Sequence, residues 1–277
     1  MVIENIVSEE FRSFDHLLNT VNSRIKNRIM RNDDSSHRTE NTEWYGTENY
    51  GEAVELLHSG YLTVLDKMKK NVADASRINS EQMRSVHHPM PHSSVVGYMP
   101  NVPNFIRGIP QSMISIERKP MKRKTMEIYY VMNGNADCDQ SWYVDAGVAL
   151  LSAIDLIEKS GIQTRINVVF KSSQEQHEVT FPSVCIKNYG ERFSLQKVSF
   201  PLTHPSMQRR FGFHWMETSP DITKSGWSNG YGRSLDAEEN EEVFAKLNKP
   251  NCGFLSNAWI NKHHCDVHEI LVKLGVV

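Results

Sequence analysis

The residue types that most often bind zinc are concentrated near the C-terminal end of the sequence. Cys265 and His268 are three positions apart at the start of a predicted helix, a spacing that lets two side chains hold one ion together. His264 and Cys252 complete the set of potential ligands. The sequence has neither a paired CxxC nor an HExxH motif. We therefore favour surface and helix-capping roles for these residues, with a zinc-dependent hydrolase as the weaker alternative.

A second group of potential ligands follows a predicted buried strand. The loop residues are Asn133, Asn135, Asp137 and Asp139. Ligands of open α/β sheets usually bind at the carboxyl ends of strands, so this loop is the default site for a ligand or a protein partner. Asn and Gly also favour turns, and acidic residues stabilise the start of a helix. The sequence favours these structural roles over a binding role.

Basic side chains form a third group that could contact phosphates. The set consists of Arg118, Lys119, Lys122, Arg123, Lys124, Arg209 and Arg210. Proteins that bind single strands also need aromatic residues for stacking, and none is interleaved with the run at 117–124. The net charge of −2 gives no overall attraction for a polyanion. A solvated face is the preferred interpretation, and nucleic-acid binding is the alternative.

Other motifs that would identify an enzyme are absent from the sequence. There is no P-loop, no GxGxxG, no GxSxG and no catalytic-cysteine signature. The four cysteines are widely spaced, which favours free thiols. No apolar run approaches the roughly twenty residues of a membrane helix, and the first residues lack a signal-peptide pattern. We therefore expect a cytoplasmic protein without a membrane partner, and catalysis is not the leading hypothesis.

The elements that must position these side chains are clearest between residues 125 and 170. Residues 127–132 are rich in β-branched and aromatic side chains and end in an Asn-Gly-Asn turn signal. Apolar residues then recur at spacings of three and four, which predicts a helix; they are Val144, Val148, Leu151, Ile154 and Ile157. A glycine and a second strand at 165–170 follow. This strand–helix–strand order implies a parallel sheet.

The flanking sequence suggests two regions with different character. Residues 9–28 and the stretch after Asn49 are predicted as helices, whereas residues 84–110 contain many Pro and Gly and are predicted to be irregular. Residues 178–186 and 192–200 are predicted as two strands. Residues 234–247 and 266–274 are predicted as helices. We place a domain boundary near 125, with a helical and irregular N-terminal region (1–124) and an α/β domain (125–277).

Three loose motifs resemble a poorly characterised group of proteins from tailed phages and mobile elements. Residues 139–161 carry a Trp, an Ala-Gly pair and an Ala-Leu-Leu-x-Ala-Ile run. A Trp-Tyr-Gly at 44–46 precedes a Glu-Ala helix, and a Pro/Gly motif covers 103–113. The second half also resembles a von Willebrand factor A-type domain, which implies a mostly parallel sheet with flanking helices.

The resemblance also bears on metal binding. Such domains usually carry Asp-x-Ser-x-Ser after the first strand, and these oxygens hold Mg²⁺. Here the corresponding place has Asn133 and Asn135, so the aspartate is missing, and only Asp137 and Asp139 follow. Fewer charged oxygens imply weaker binding of a hard dication. We expect no cofactor, with Mg²⁺ or Zn²⁺ as the alternatives.

The leading functional hypothesis is a non-enzymatic protein-interaction module. The resemblance implies a phage-encoded protein that acts in the infected bacterial cell. A partner protein would then belong to the phage or the host. The alternative is an accessory protein of phage replication or transcription that binds nucleic acid through the basic residues named above.

Overall fold

The structure is a computed structural model that describes residues 5–25, 35–79, 91–116, 124–174, 178–222, 231–249 and 251–277. The strands in these ranges are β1 (Asn5–Val7), β2 (Glu10–Phe11), β3 (Pro91–Ser94), β4 (Met99–Pro100), β5 (Met113–Ile116), β6 (Thr125–Met132), β7 (Gln163–Phe170), β8 (Ser173–Gln174), β9 (Glu178–Thr180), β10 (Ser183–Lys187) and β11 (Cys252–Ser256). They form one sheet of five strands and two of three strands.

The α-helices in the described ranges are α1 (Phe14–Ser23), α2 (Thr42–Tyr45), α3 (Tyr50–Ser59), α4 (Leu65–Asn79), α5 (Val102–Ile106), α6 (Gln140–Lys159), α7 (Leu195–Thr203), α8 (Phe213–Thr218), α9 (Ala237–Lys246), α10 (Asn257–Lys262) and α11 (Val267–Lys273). A π-helical segment, Met207–Gly212, leads directly into α8. Among the helices of the described ranges, none combines the length and the apolar character that a membrane crossing requires.

The central sheet has the strand order β11-β6-β7-β10-β2. β6 pairs in parallel with β7 along its whole length and with β11 on its other side. β10 is antiparallel to β7, so the sheet is mixed, with parallel strands at its centre. The predicted strand–helix–strand unit is confirmed, and the protein is an α/β protein whose sheets include parallel strands.

Side chains of β6 alternate between two cores, as they must in a pleated strand. Ile128 and Tyr130 belong to the larger core, which also contains the buried side of α6. Tyr129 and Val131 belong to the smaller core, together with Val243 of α9. Helices therefore cover both faces of the central sheet. Because β6, β7 and β11 run parallel, their carboxyl ends lie at the same edge of the sheet.

The predicted strand at 192–200 is wrong, because most of these residues form α7. A β-carbon on Gly147 of α6 would lie 2.1 Å from the Leu202 carbonyl oxygen, so the two helices pack in close contact. Every residue from Val198 to Thr203 is buried. Because these six residues are all buried, this part of α7 lacks the polar stripe that identifies helices in sequence, and its β-branched and aromatic residues therefore imitate a strand.

The N-terminal residues contribute strands to two sheets. β1 pairs in parallel with β9, and β2 pairs in parallel with β10. Farther along the chain, the carboxylate of buried Glu217 in α8 accepts hydrogen bonds from Ser36, from N–H at 3.0 Å and from Oγ at 2.6 Å. The first half of the chain is thus tied to the second half at several points. The proposed boundary at 124 stays a prediction.

Candidate functional site

The loop after β6 lies where parallel strands end, as predicted, but its first residue is an internal connector. Asn133 is only 1% exposed. Its backbone N–H donates to Asn257 Oδ1 at 3.2 Å, and its Nδ2 donates to the Leu235 carbonyl oxygen at 2.9 Å. Asn133 therefore joins the end of β6 to the segments that begin α9 and α10.

Two other loop residues also serve the fold. The Oδ1 atom of Asn135 accepts from the Ser234 N–H at 3.2 Å. Asp139 caps α6, since its Oδ1 accepts from Ser141 Oγ at 2.8 Å and from the Trp142 N–H at 3.1 Å. These bonds lower the pKa of Asp139. Asp137 is exposed at the edge of the loop. The loop is thus held by its own hydrogen bonds at three of its four candidate positions.

Arg209 lies in the interior beside this loop. Its guanidinium donates to three carbonyl oxygens, those of Trp44 at 2.5 Å, Cys138 at 2.7 Å and Asn135 at 3.1 Å. It also stacks on the Trp44 ring at 4.1 Å. Burial lowers its pKa below the ordinary value for arginine. Arg209 consequently fastens residues 44 and 135–138 to the π-helical segment.

Arg210 is equally buried and serves the neighbouring part of the chain. It donates to the Thr47 carbonyl oxygen at 2.8 Å and to the Ser36 carbonyl oxygen at 3.0 Å, and it stacks on the Tyr45 ring at 3.9 Å. Both arginines, which the sequence offered as phosphate contacts in the alternative hypothesis, are buried and bound to internal carbonyl oxygens and aromatic rings.

Most of the remaining basic run lies outside the described residues. This holds for Arg118, Lys119, Lys122 and Arg123. Lys124 is described and is exposed just before β6. A phosphate-binding role for the run stays a prediction.

The four candidate zinc ligands do not meet at one point. Cys252 packs with the smaller core and Cys265 with the larger one, so the central sheet separates the two thiols. Burial raises the pKa of both, that of Cys265 to about 11, which favours the protonated thiol over a metal-binding thiolate. His264 is exposed and His268 is half-buried. Within the described ranges, no group of three or more His, Cys, Asp or Glu could hold a metal ion.

A cleft of about 1040 Å³ opens next to the loop, between residues 35–45 and 136–141. We call it the aromatic cleft, because its lining includes the side chains of Trp44, Tyr45, Phe213 and Tyr231. Arg209 and the first residues of α6 also line it. Sequence reasoning missed this cleft, since its walls come from segments that are far apart in the chain.

Lys171 is a second feature that the sequence did not reveal. It follows β7 directly and is 1% exposed, and its Nζ donates to Asn240 Oδ1 at 2.8 Å. Burial lowers its pKa to about 7. The only sequence signal was its position at the end of a buried strand, where polar side chains often belong to a site.

A family model described as "Domain of unknown function (DUF7192)" matches residues 1–277. The chain belongs to this family. No curated protein and no solved structure matches the chain. The match covers both halves of the sequence.

Proposed function

We propose that the protein is a non-enzymatic interaction module that binds a protein partner through an apolar surface on residues 91–116. We call this segment the docking unit. It consists of β3, β5 and β4, which pair antiparallel in that order, together with α5. Seven of the eleven exposed large hydrophobic side chains in the described residues lie here; they are Val95, Val96, Tyr98, Met99, Val102, Phe105 and Ile106.

This concentration of apolar surface is the observation that supports the proposal. Phe105 is 72% exposed and Ile106 is 78% exposed, although they are neighbours on one short helix. Scattered apolar residues are normal on a protein surface, whereas a contiguous patch usually marks an interaction site. Covering the two side chains would stabilise a complex by roughly 1.5–3 kcal/mol each.

The charges around the docking unit indicate what kind of partner it fits. Residues 91–116 contain one charged side chain, Arg107, and no Asp or Glu. The next eight residues, 117–124, contain five Lys or Arg. A second copy of this chain would bring like charges together. A protein with apolar residues beside acidic ones is complementary in both respects.

Two further observations agree with this proposal, one from the fold and one from the sequence. The mixed sheet with helices on both faces is compatible with a von Willebrand A-like domain, a fold that commonly binds other proteins. The resemblance to proteins of tailed phages suggests that the module acts in the cytoplasm of an infected bacterium. Its partner would then be a phage or host protein.

The proposal can be tested by replacing Phe105 with a photo-crosslinking amino acid in expressing or infected cells. Ile25 is a matched control position, because it is apolar and 92% exposed but lies outside the docking unit. We expect one acidic protein to cross-link at position 105 and not at position 25. The purified pair should bind with nuclease present, and the double variant Phe105→Ser, Ile106→Ser should weaken binding at least about tenfold.

Three results would refute the proposal. They are equal cross-linking at both positions, a complex that nuclease abolishes, and unchanged affinity of the double variant. The second result would instead support nucleic-acid binding by the basic run.

A further inference from the structure

Within the described residues, the docking unit has no interior of its own. No residue from 91 to 115 is buried, and neither of the two cores includes any of them. Its side chains form hydrogen bonds only inside the unit; Asn101 Nδ2 and Asn104 Nδ2, for example, both donate to Ser93 Oγ, at 3.1 Å and 3.3 Å. Small sheets are marginally stable in water until an apolar layer covers one face. The docking unit lacks that layer.

The edges of the sheet in the docking unit are poorly suited to a partner strand. The outer strands are β3 and β4, with β5 between them. β3 has four residues and begins with Pro91, and β4 has two residues and ends with Pro100. Proline has no N–H to donate, and short edge strands with proline discourage pairing with another chain. A covering element must therefore bind the side chains of the unit.

The exposed side of α5 fits a helix in this role. Val102, Phe105 and Ile106 are separated by three and four positions, so they lie on one side of α5. They are 56%, 72% and 78% exposed. An amphipathic helix carries apolar residues at the same spacings. Arg107, and the basic residues that follow the unit in the sequence, favour acidic side chains beside that apolar stripe.

We infer that the docking unit, whose role as a partner-binding surface rests on the proposed function, obtains its missing apolar layer from one amphipathic helix of the partner. Acidic residues flank the apolar stripe of that helix. The sheet and α5 are held in one conformation only when the helix covers them, so binding and ordering occur together.

Hydrogen exchange of the free, full chain tests the state of the unit before binding. We expect the amides of β5 to exchange less than about a hundredfold more slowly than those of an unstructured peptide. The amides of β7 should be protected far more strongly, because β7 lies between two strands and is largely buried. Equal protection of β5 and β7 overturns the inference, although a preformed surface leaves the proposed function intact.

A designed peptide of about twenty residues, long enough to form a helix, is the probe for the bound state. It carries Leu along one side and Glu beside this stripe; a version with Lys in place of Glu and a scrambled version are the controls. By fluorescence anisotropy with the full chain, we expect the Glu peptide to bind at least about tenfold more tightly than either control. The Glu peptide should also protect the amides of β5.

Three results of this titration overturn the inference. They are failure of the Glu peptide to bind at millimolar concentration, equal binding of the scrambled peptide, and unchanged affinity in the double variant Phe105→Ser, Ile106→Ser. An acidic protein that still cross-links at position 105 separates these results from a failure of the proposed function. Protection of β5 that appears with rising concentration of the chain alone identifies a second copy as the occupant and also overturns the inference.

A pair of cysteines distinguishes coupled ordering from binding to a rigid surface. His92 and Ser115 lie opposite each other in β3 and β5, where the α-carbons are about 5 Å apart, a separation that a disulfide spans. We expect the oxidised variant His92→Cys, Ser115→Cys to bind the Glu peptide about tenfold more tightly than its reduced form, because its sheet is already ordered. Equal affinity of the two forms, with the disulfide confirmed by mass spectrometry, overturns the inference.

Discussion

Replacing Lys171 by methionine tests whether burial controls the proton affinity of this side chain. Burial lowers the pKa of Lys171 from 10.5 to about 7, while Glu239 and Asp236 act in the opposite direction. In the unfolded chain the ordinary pKa returns. Between about pH 7 and pH 10.5 the unfolded state therefore binds more protons than the folded state, and stability rises with pH in this window.

The size of the effect follows from the same two pKa values. The difference between 10.5 and about 7 corresponds to about 5 kcal/mol, which destabilises the folded state fully below pH 7 and disappears above pH 10.5. Methionine removes this term but leaves Asn240 Oδ1 without its donor, at a cost of about 1–3 kcal/mol. We expect Lys171→Met to be more stable than the wild type by about 2–4 kcal/mol at pH 6.5, and less stable by about 1–3 kcal/mol at pH 10.5.

The assay is urea unfolding of both proteins at pH 6.5 and pH 10.5. Lys187→Met is the control, because Lys187 is also buried but pairs with Glu158 at 2.8 Å. Removing that partner leaves a carboxylate behind, so the control should be destabilised already at pH 6.5. A difference in unfolding free energy between Lys171→Met and the wild type that is the same at both pH values would refute the reasoning.

Three further predictions concern packing and stability, each measured by urea or thermal unfolding. Glu217→Gln should destabilise the protein by about 2–4 kcal/mol, since the buried carboxylate accepts two hydrogen bonds from Ser36; a loss below about 0.5 kcal/mol would contradict this. Gly147→Ala should cost about 2 kcal/mol or more, despite the better helix propensity of alanine, because the new methyl group meets a backbone oxygen of α7; a stabilised variant would show that the helices separate easily. The variant Phe105→Ser, Ile106→Ser should unfold within about 1 kcal/mol of the wild type, because both side chains are exposed; a large loss would mean that they support the fold instead of a partner.

Sequence reasoning found the parallel centre of the sheet because that part has strong periodicity. The apolar stripe of α6 and the flanking buried strands are local signals, and so is Asn49, which caps α3. β1 and β2 were missed since they have only three and two residues, too few for any pattern. These two segments are strands because they pair with β9 and β10, which come from the second half of the chain.

The site residues were harder to predict, because burial of a charged side chain is a tertiary property. An Arg-Arg pair suggests an exposed basic surface in any sequence, yet Arg209 and Arg210 are held by carbonyl groups of residues far away in the chain. The lysine after β7 is likewise indistinguishable from a surface lysine. Hydrogen-bond partners distant in sequence leave no local signal.

The pairing of β2 with β10 has a consequence for how the protein is made. Phe11 lies opposite Val184, so this segment is synthesised more than 170 residues before the strand with which it pairs. Until that strand emerges, the apolar side of Phe11 stays open to other molecules. Synthesis speed and chaperone access during that interval should therefore influence the yield of folded protein.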